Sequence, residues 1–154
     1  LSENLLSFQV HDLRPFGIGQ QRQVDDTPYG GGPGMLMRIE PLVAALESIP
    51  RADNARVIMT SPQGQRFDHG KAVAWKNIDQ LIFICGRYEG VDERFIDGWV
   101  DEVVSIGDYV LTNGAIAAAV LTDSIVRLIP GALGDERSHQ EESFSDPNLL
   151  ESPA

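Results

Sequence analysis

The chain is short of cysteine, of histidine and of positive charge, and each shortage closes off a class of function. A single cysteine, Cys85, rules out a disulfide framework within one chain. It sits in the apolar run LIFICG and reads as a small buried hydrophobe in a reducing cytosol rather than as a nucleophile. His11, His69 and His139 stand far apart, so no His/Cys spacing suits a zinc site. Lysine and arginine number 12 against 23 aspartates and glutamates, a formal net charge of −11. A polyanion is normally gripped by a basic footprint that displaces counterions, so any nucleic-acid contact must be local. No apolar run approaches the roughly 20 residues that span a bilayer, and nothing reads as a signal peptide. A soluble, cytoplasmic protein with no membrane partner is expected.

Glycine, by contrast, is concentrated. The stretch VDDTPYGGGPGM, Val24 to Met35, holds Gly30, Gly31, Gly32 and Gly34 beside Pro28 and Pro33. Ordering glycine costs more backbone entropy than ordering any other residue, so special backbone angles or freedom must be needed here. A Walker phosphate loop is excluded, because there is no Gly-Lys-Ser/Thr and QQRQVDD precedes the stretch where an apolar strand should stand. The dinucleotide fingerprint fails on the same context, and no Gly-x-Ser-x-Gly elbow appears. A mobile loop remains, rooted at Asp25 and Asp26, with Tyr29 as an anchor and the glycines as joints. A plain turn is the alternative.

Elsewhere the chain alternates. LLSFQV (Leu5–Val10) predicts a short strand, and IEPLVAALESI has the i, i+3, i+4, i+7 spacing of an amphipathic helix. ARVIMT predicts a strand ending at SPQG, then a helix over 68–77 with Asp68 as N-cap. QLIFIC is the strongest strand, apolar enough to be buried on both faces. A short helix over 92–99, the strand DEVVSI and the long helix AIAAAVLTDSIVRLI follow, the last stopped by Pro130 and Gly131. Strand and helix repeated three times predict an α/β fold, a parallel sheet flanked by helices. In such sheets ligands bind beyond the carboxyl ends of the strands, at SPQG, CGRYEG and SIGDYVLTNG here. Each alone reads as an ordinary turn. Three at one sheet edge predict a ligand pocket.

Taken in order, VDDTPYGGGPGM, SPQG, CGRYEGVDER, SIGDYVLTNG, RLIPGALG and EESF resemble the bacterial tRNA (guanine-N1)-methyltransferase family, of the SPOUT class, over almost the whole chain. The resemblance implies transfer of a methyl group from S-adenosylmethionine to N1 of the guanosine 3′ to the tRNA anticodon. It also implies a C-terminal deep trefoil knot and a homodimer with its active site at the subunit interface. Carried over by position, the cofactor pocket comprises Met59, Thr60, Ser61, Pro62 and Gln63. It continues with Gly86, Arg87, Tyr88, Glu89 and Gly90, then Ile106, Gly107, Tyr109, Leu111, Asn113 and Gly114. Asp25, Arg87 and Ser143 match active-site positions, and Glu89 is where the resemblance places a Mg2+ requirement. The family's general base is an aspartate in E-D-S-F, partnered by an arginine that matches Arg127. Here its position is Glu142, which keeps the carboxylate on an arm one methylene longer. The family's S-G-G-E-L-P reads Thr112 to Ala117, TNGAIA.

The resemblance divides the chain into a SPOUT domain over 1–134 and an interdomain linker over 135–154 that carries the candidate base. The family's first strand and helix and its C-terminal tRNA-binding domain are expected to lie outside these residues. Two other functions are weighed against the methyltransferase. A nonenzymatic cofactor- or nucleotide-binding module would account for the altered TNGAIA and EESF segments, but has no reason to retain Glu142 with Arg127. A SPOUT enzyme acting on ribose or rRNA would lack the pair PYGGGPGM and GRYEGVDER.

Overall fold

The structure is a computed structural model that describes residues 5–28, 30, 31, 33–87 and 89–133. After a 3-10 turn at Arg14–Phe16 come β1 (Asp25–Asp26), β2 (Leu36–Met37), α1 (Ile39–Glu47) and β3 (Arg56–Arg66). Then follow α2 (His69–Trp75), β4 (Leu81–Cys85), α3 (Glu93–Trp99), β5 (Glu102–Ser105) and α4 (Gly114–Val126). β3, β4 and β5 form a parallel sheet in the order β4-β3-β5, while β1 and β2 pair as a small antiparallel ladder.

Side-chain alternation along β3 organises two apolar cores. Val57 and Met59 join Leu42 and Leu46 of α1 and Phe95 of α3 on one face. Ile58 joins Ala72 and Trp75 of α2, Val104, and Leu121 and Ile125 of α4 on the other. Successive residues of a strand point to opposite faces, so a strand covered on both sides buries every residue, as Val57 to Thr60 do. Each fully buried Leu, Ile or Phe contributes about 1.5–3 kcal/mol.

Three helices begin on a side-chain cap. Asp68 accepts from the Lys71 N–H at 2.8 Å, Asp92 from Arg94 at 3.0 Å and Asn113 from Ala115 at 2.9 Å. Each satisfies an N–H that the helix cannot pair internally. Lys71 forms an ion pair with Glu102, tying α2 to β5, and its ammonium lies 5.7 Å from the centre of the Trp75 ring. At the amino end of the sheet, Asp101 accepts the Val57 N–H at 2.7 Å and lies 3.7 Å from the Arg56 guanidinium. Asp101→Ala would strand that N–H and should cost about 1–3 kcal/mol, read by equilibrium denaturation. A midpoint unchanged from wild type would contradict this role.

Three expectations need correction. Leu5–Val10 forms no strand, and Leu6, Phe8 and Val10 are exposed, because no neighbouring strand among the described residues supplies a ladder. β4 is not buried on both faces. It pairs with β3 alone, and only Ile82 of its five residues is buried, so the doubly covered position belongs to β3. Cys85 is half-buried rather than buried, although burial still pushes its thiol above the ordinary value and keeps it protonated.

Candidate active site

The carboxyl ends of the three parallel strands meet. β3 does not stop at SPQG: Thr60 pairs with Val104, Ser61 to Gly64 leave the ladder, and Gln65 returns to pair with Val104 again. The return brings backbone against backbone. A Cβ on Gly64 would stand 2.4 Å from the Val104 nitrogen and 2.5 Å from the Val103 carbonyl carbon, so only glycine fits. The Ser61 hydroxyl accepts the Gln63 N–H at 3.3 Å and shapes the excursion.

α4 begins against these ends. The Gly114 N–H donates to the Gly86 carbonyl at 2.8 Å, and the buried Thr60 hydroxyl lies 3.3 Å from the Gly114 carbonyl and 3.4 Å from that of Ile84. A Cβ on Gly114 would fall 2.2 Å from Thr60 Oγ1 and 3.0 Å from the Cys85 and Gly86 backbone. This glycine therefore serves close packing. Gly86 differs, since a Cβ there would meet nothing nearer than 3.8 Å, and its backbone has room beside it for a ligand. At the end of β5 the buried Ser105 hydroxyl accepts the Gly107 N–H at 3.2 Å and lies 3.0 Å from the Gly107 carbonyl, which fixes the turn that starts the third loop.

The glycine-rich stretch is stitched to the second of these loops. Asp25 pairs with Met37 and Asp26 with Leu36, and the Arg38 guanidinium holds Asp26 at 3.1 Å. Glu89 donates its N–H to the Met35 carbonyl at 3.0 Å, and Met37 donates to that of Gly90 at 3.0 Å. Gly34, at φ +96°, lies so close to the Glu89 side chain that a Cβ would overlap it. Gly30 and Gly31 also hold left-handed angles, φ +93° and +79°, with nothing nearby, so there the requirement is for the angle itself. The base of the loop is thus a closed two-residue ladder next to Glu89.

Of the residues expected at the cofactor site, Met59 to Gln63, Gly86, Arg87, Glu89, Gly90, Ile106, Gly107, Tyr109, Leu111, Asn113 and Gly114 all occupy this end of the sheet. Asp25 roots the adjoining loop. Tyr29, Gly32, Tyr88, Glu142 and Ser143 lie outside the described residues. Arg127 is not brought to these loops by its own chain. It is the C-cap of α4, 13 residues beyond Gly114, or about 20 Å along the helix at 1.5 Å per residue. Among the described residues no group of three or more His, Cys, Asp or Glu gathers to hold a metal ion. Sequence reasoning missed Gly64 and Ser105 as organisers. Neither a register shift nor a hydroxyl bracketing its own turn has a periodic signature.

Two cavities stand out among the described residues. One of about 600 Å³ borders Asp25, and one of about 360 Å³ lies at the opposite end of the sheet, between Arg56, Trp75 and Asp101.

Comparison with known proteins supplies the family. A family model described as tRNA (Guanine-1)-methyltransferase TrmD matches residues 1–154. A tRNA (guanine-N(1)-)-methyltransferase of Heliobacterium modesticaldum is 51% identical over 157 residues, covering 98% of this chain and 58% of the relative. A protein of the same name from Staphylococcus aureus strain MRSA252 is 50% identical over 150 residues, covering 97% of this chain and 61% of the relative. The chain thus spans about three fifths of the length of these curated relatives. With the family model matched from end to end and half of all positions identical to these relatives, the chain belongs to the tRNA (guanine-1)-methyltransferase TrmD family.

Proposed function

We propose that the protein carrying this chain methylates N1 of the guanosine 3′ to the tRNA anticodon, using S-adenosylmethionine, in the cytoplasm. The observation that carries the reading is the meeting of Thr60, Gly86 and Gly114 at the carboxyl ends of β3 and β4. Open backbone at Gly86 suits an adenine edge that needs main-chain donors and acceptors, and half-buried Ile106 and Leu111 of the third loop can supply apolar cover. When bound, S-adenosylmethionine supplies a methyl group on a positively charged sulfur. The site has no need of a phosphate cradle.

The chain's own residues supply the rest. Guanine N1 carries a proton, and Glu142 accepts it as N1 becomes the nucleophile. Arg127 offsets the negative charge that grows on O6. Asp25, Arg87 and Ser143 line the acceptor side. Residues 1–134 act as the cofactor-binding domain and 135–154 as the linker that carries the base.

The separation of Arg127 from the strand-end loops of its own chain supports a homodimer, in which a partner subunit brings the two together. α4 is apolar on two sides: Ala117, Leu121 and Ile125 are buried, while Ile116 and Val120, one turn apart, are exposed together with Tyr109 and Val110. An apolar helix face left in water marks a contact surface. The tuck of the Gly114 end of α4 against the ends of β3 and β4 supports a knotted C-terminal path. Among the described residues no helix is long and apolar enough to cross a membrane.

The test is methyl transfer from labelled S-adenosylmethionine to tRNA bearing guanosine or adenosine 3′ to the anticodon. Label should enter the first and not the second. Equal labelling of both, or of neither, overturns the reading.

A further inference from the structure

The larger cavity is not one of the strand-end loops, and two arginines stand among its lining residues. Arg14, Gln21, Arg22 and Gln23 line it together with Asp12 and Asp25. Arg38, Arg56, Lys71 and Arg94 each lie against a carboxylate. Among the described residues no carboxylate lies within ion-pair distance of the Arg14 or Arg22 guanidinium.

Both arginines stand on fixed backbone. Arg14 opens the 3-10 turn, with Pro15 after it, its N–H on Asp12 Oδ1 at 3.0 Å and its carbonyl accepting from Gly17 at 3.1 Å. Arg22 closes a tight loop in which Ile18 and Gln23 exchange hydrogen bonds of 2.9 and 3.0 Å and Arg22 donates to the Gly19 carbonyl at 3.1 Å. Its φ is +51°, the one left-handed angle at a non-glycine among the described residues. The Arg22 carbonyl presses on Gly17, where a Cβ would stand 2.2 Å from it. A side chain held at such an angle persists only where its surroundings over-determine it. Three residues later the chain enters β1 at Asp25, and the Arg38 N–H on the Val24 carbonyl at 2.9 Å locks the cavity wall to the base of the glycine-rich loop.

We propose that Arg14 and Arg22 receive the phosphodiester backbone of the RNA substrate beside Asp25; this rests on the function proposed above. Guanidinium forks match phosphate oxygens, and two in one cleft can engage a phosphodiester backbone. The carboxylates of Asp12 and Asp25 would repel a bare phosphate but accept hydrogen bonds from ribose hydroxyls. A cleft with both kinds of group therefore fits a ribonucleotide better than an inorganic anion. A net charge of −11 opposes RNA overall, so two arginines with no carboxylate partner among the described residues, beside a candidate active-site aspartate, offer local attraction.

The test uses the full-length protein and its R14A/R22A and R14K/R22K variants. It compares tRNA affinity across a salt series, S-adenosylmethionine affinity, and KM and kcat for tRNA. R14A/R22A should weaken tRNA binding about tenfold or more and flatten the plot of log affinity against log salt by about 1–2, near 0.7–0.9 per lost phosphate contact. KM for tRNA should rise while kcat and methyl-donor affinity stay within about twofold, and the lysine pair should restore the slope. Unchanged tRNA affinity and slope in R14A/R22A, with wild-type methylation intact, overturns the site and leaves the function standing. Loss of donor binding together with tRNA binding, unrescued by lysine, also overturns it in favour of a structural role. An arginine-dependent slope in a wild type that methylates no guanosine supports the site and overturns the function.

Discussion

Glutamine in place of Glu142 is expected to slow a single turnover of methyl transfer by about 10²–10⁴-fold, the usual contribution of a positioned general base. The exchange keeps size and hydrogen bonding but removes the ability to take a proton. N1 of guanine carries a proton at neutral pH and has no free pair in the ring plane until it is lost, so the defect should fall on chemistry. Affinities for S-adenosylmethionine and tRNA should stay within about twofold. Aspartate at the same position keeps the base but withdraws it by one methylene, roughly 1 Å, and displacement on that scale costs up to about 10²-fold. Its rate should therefore lie between the other two. A glutamine variant as fast as wild type would remove Glu142 from the mechanism.

Gly64→Ala is expected to be strongly destabilising. The added Cβ would meet the Val104 nitrogen at 2.4 Å and the Val103 carbonyl oxygen at 2.6 Å, and backbone atoms in a central ladder cannot rotate away. Overpacking of this kind costs about 3 kcal/mol, which in a domain of this size lowers Tm by about 10 °C. Because Gly64 closes the excursion that displays Ser61, Pro62 and Gln63, methyl-donor affinity should fall as well. Gly98→Ala in α3 is the matched control: nothing lies within 4 Å of its Cβ, and alanine is the better helix former by about 1 kcal/mol. That variant should melt at or above the wild-type temperature. Equal melting of the two variants would show that the β3–β5 return is not as tight as described.

The sheet was legible where one local signal sufficed. Apolar runs of strand length separated by helical spacing yielded β3, β4, β5 and the helices between them, and the Asp68 cap was readable from its position. Which strand lies in the middle was not legible, because LIFIC and VIMT are equally apolar and the order β4-β3-β5 is decided by packing across the sheet. For the same reason LLSFQV misled: alternation marks a segment able to pair, and pairing needs a neighbour. The register shift that brings both Thr60 and Gln65 to Val104 has no sequence periodicity. At the site, glycines were legible as special but not as different from one another. Gly114 and Gly64 admit no Cβ, Gly30 and Gly31 hold an angle, and Gly86 leaves backbone open. The reach of Arg127 was not legible in the sequence because it depends on the length of α4, whose C-cap stands 13 residues beyond Gly114.

The proposed chemistry falls on one atom of one nucleotide, and nucleoside analysis reads it directly. Transfer RNA with guanosine 3′ to the anticodon is incubated with the full-length protein and S-adenosylmethionine, digested to nucleosides and resolved by mass spectrometry against standards. The expected product is 1-methylguanosine, formed only when guanosine occupies that position and about 10²-fold or more slowly with Glu142→Gln. Methylation at a ribose hydroxyl or at another base, or no methylated nucleoside at all, would contradict it.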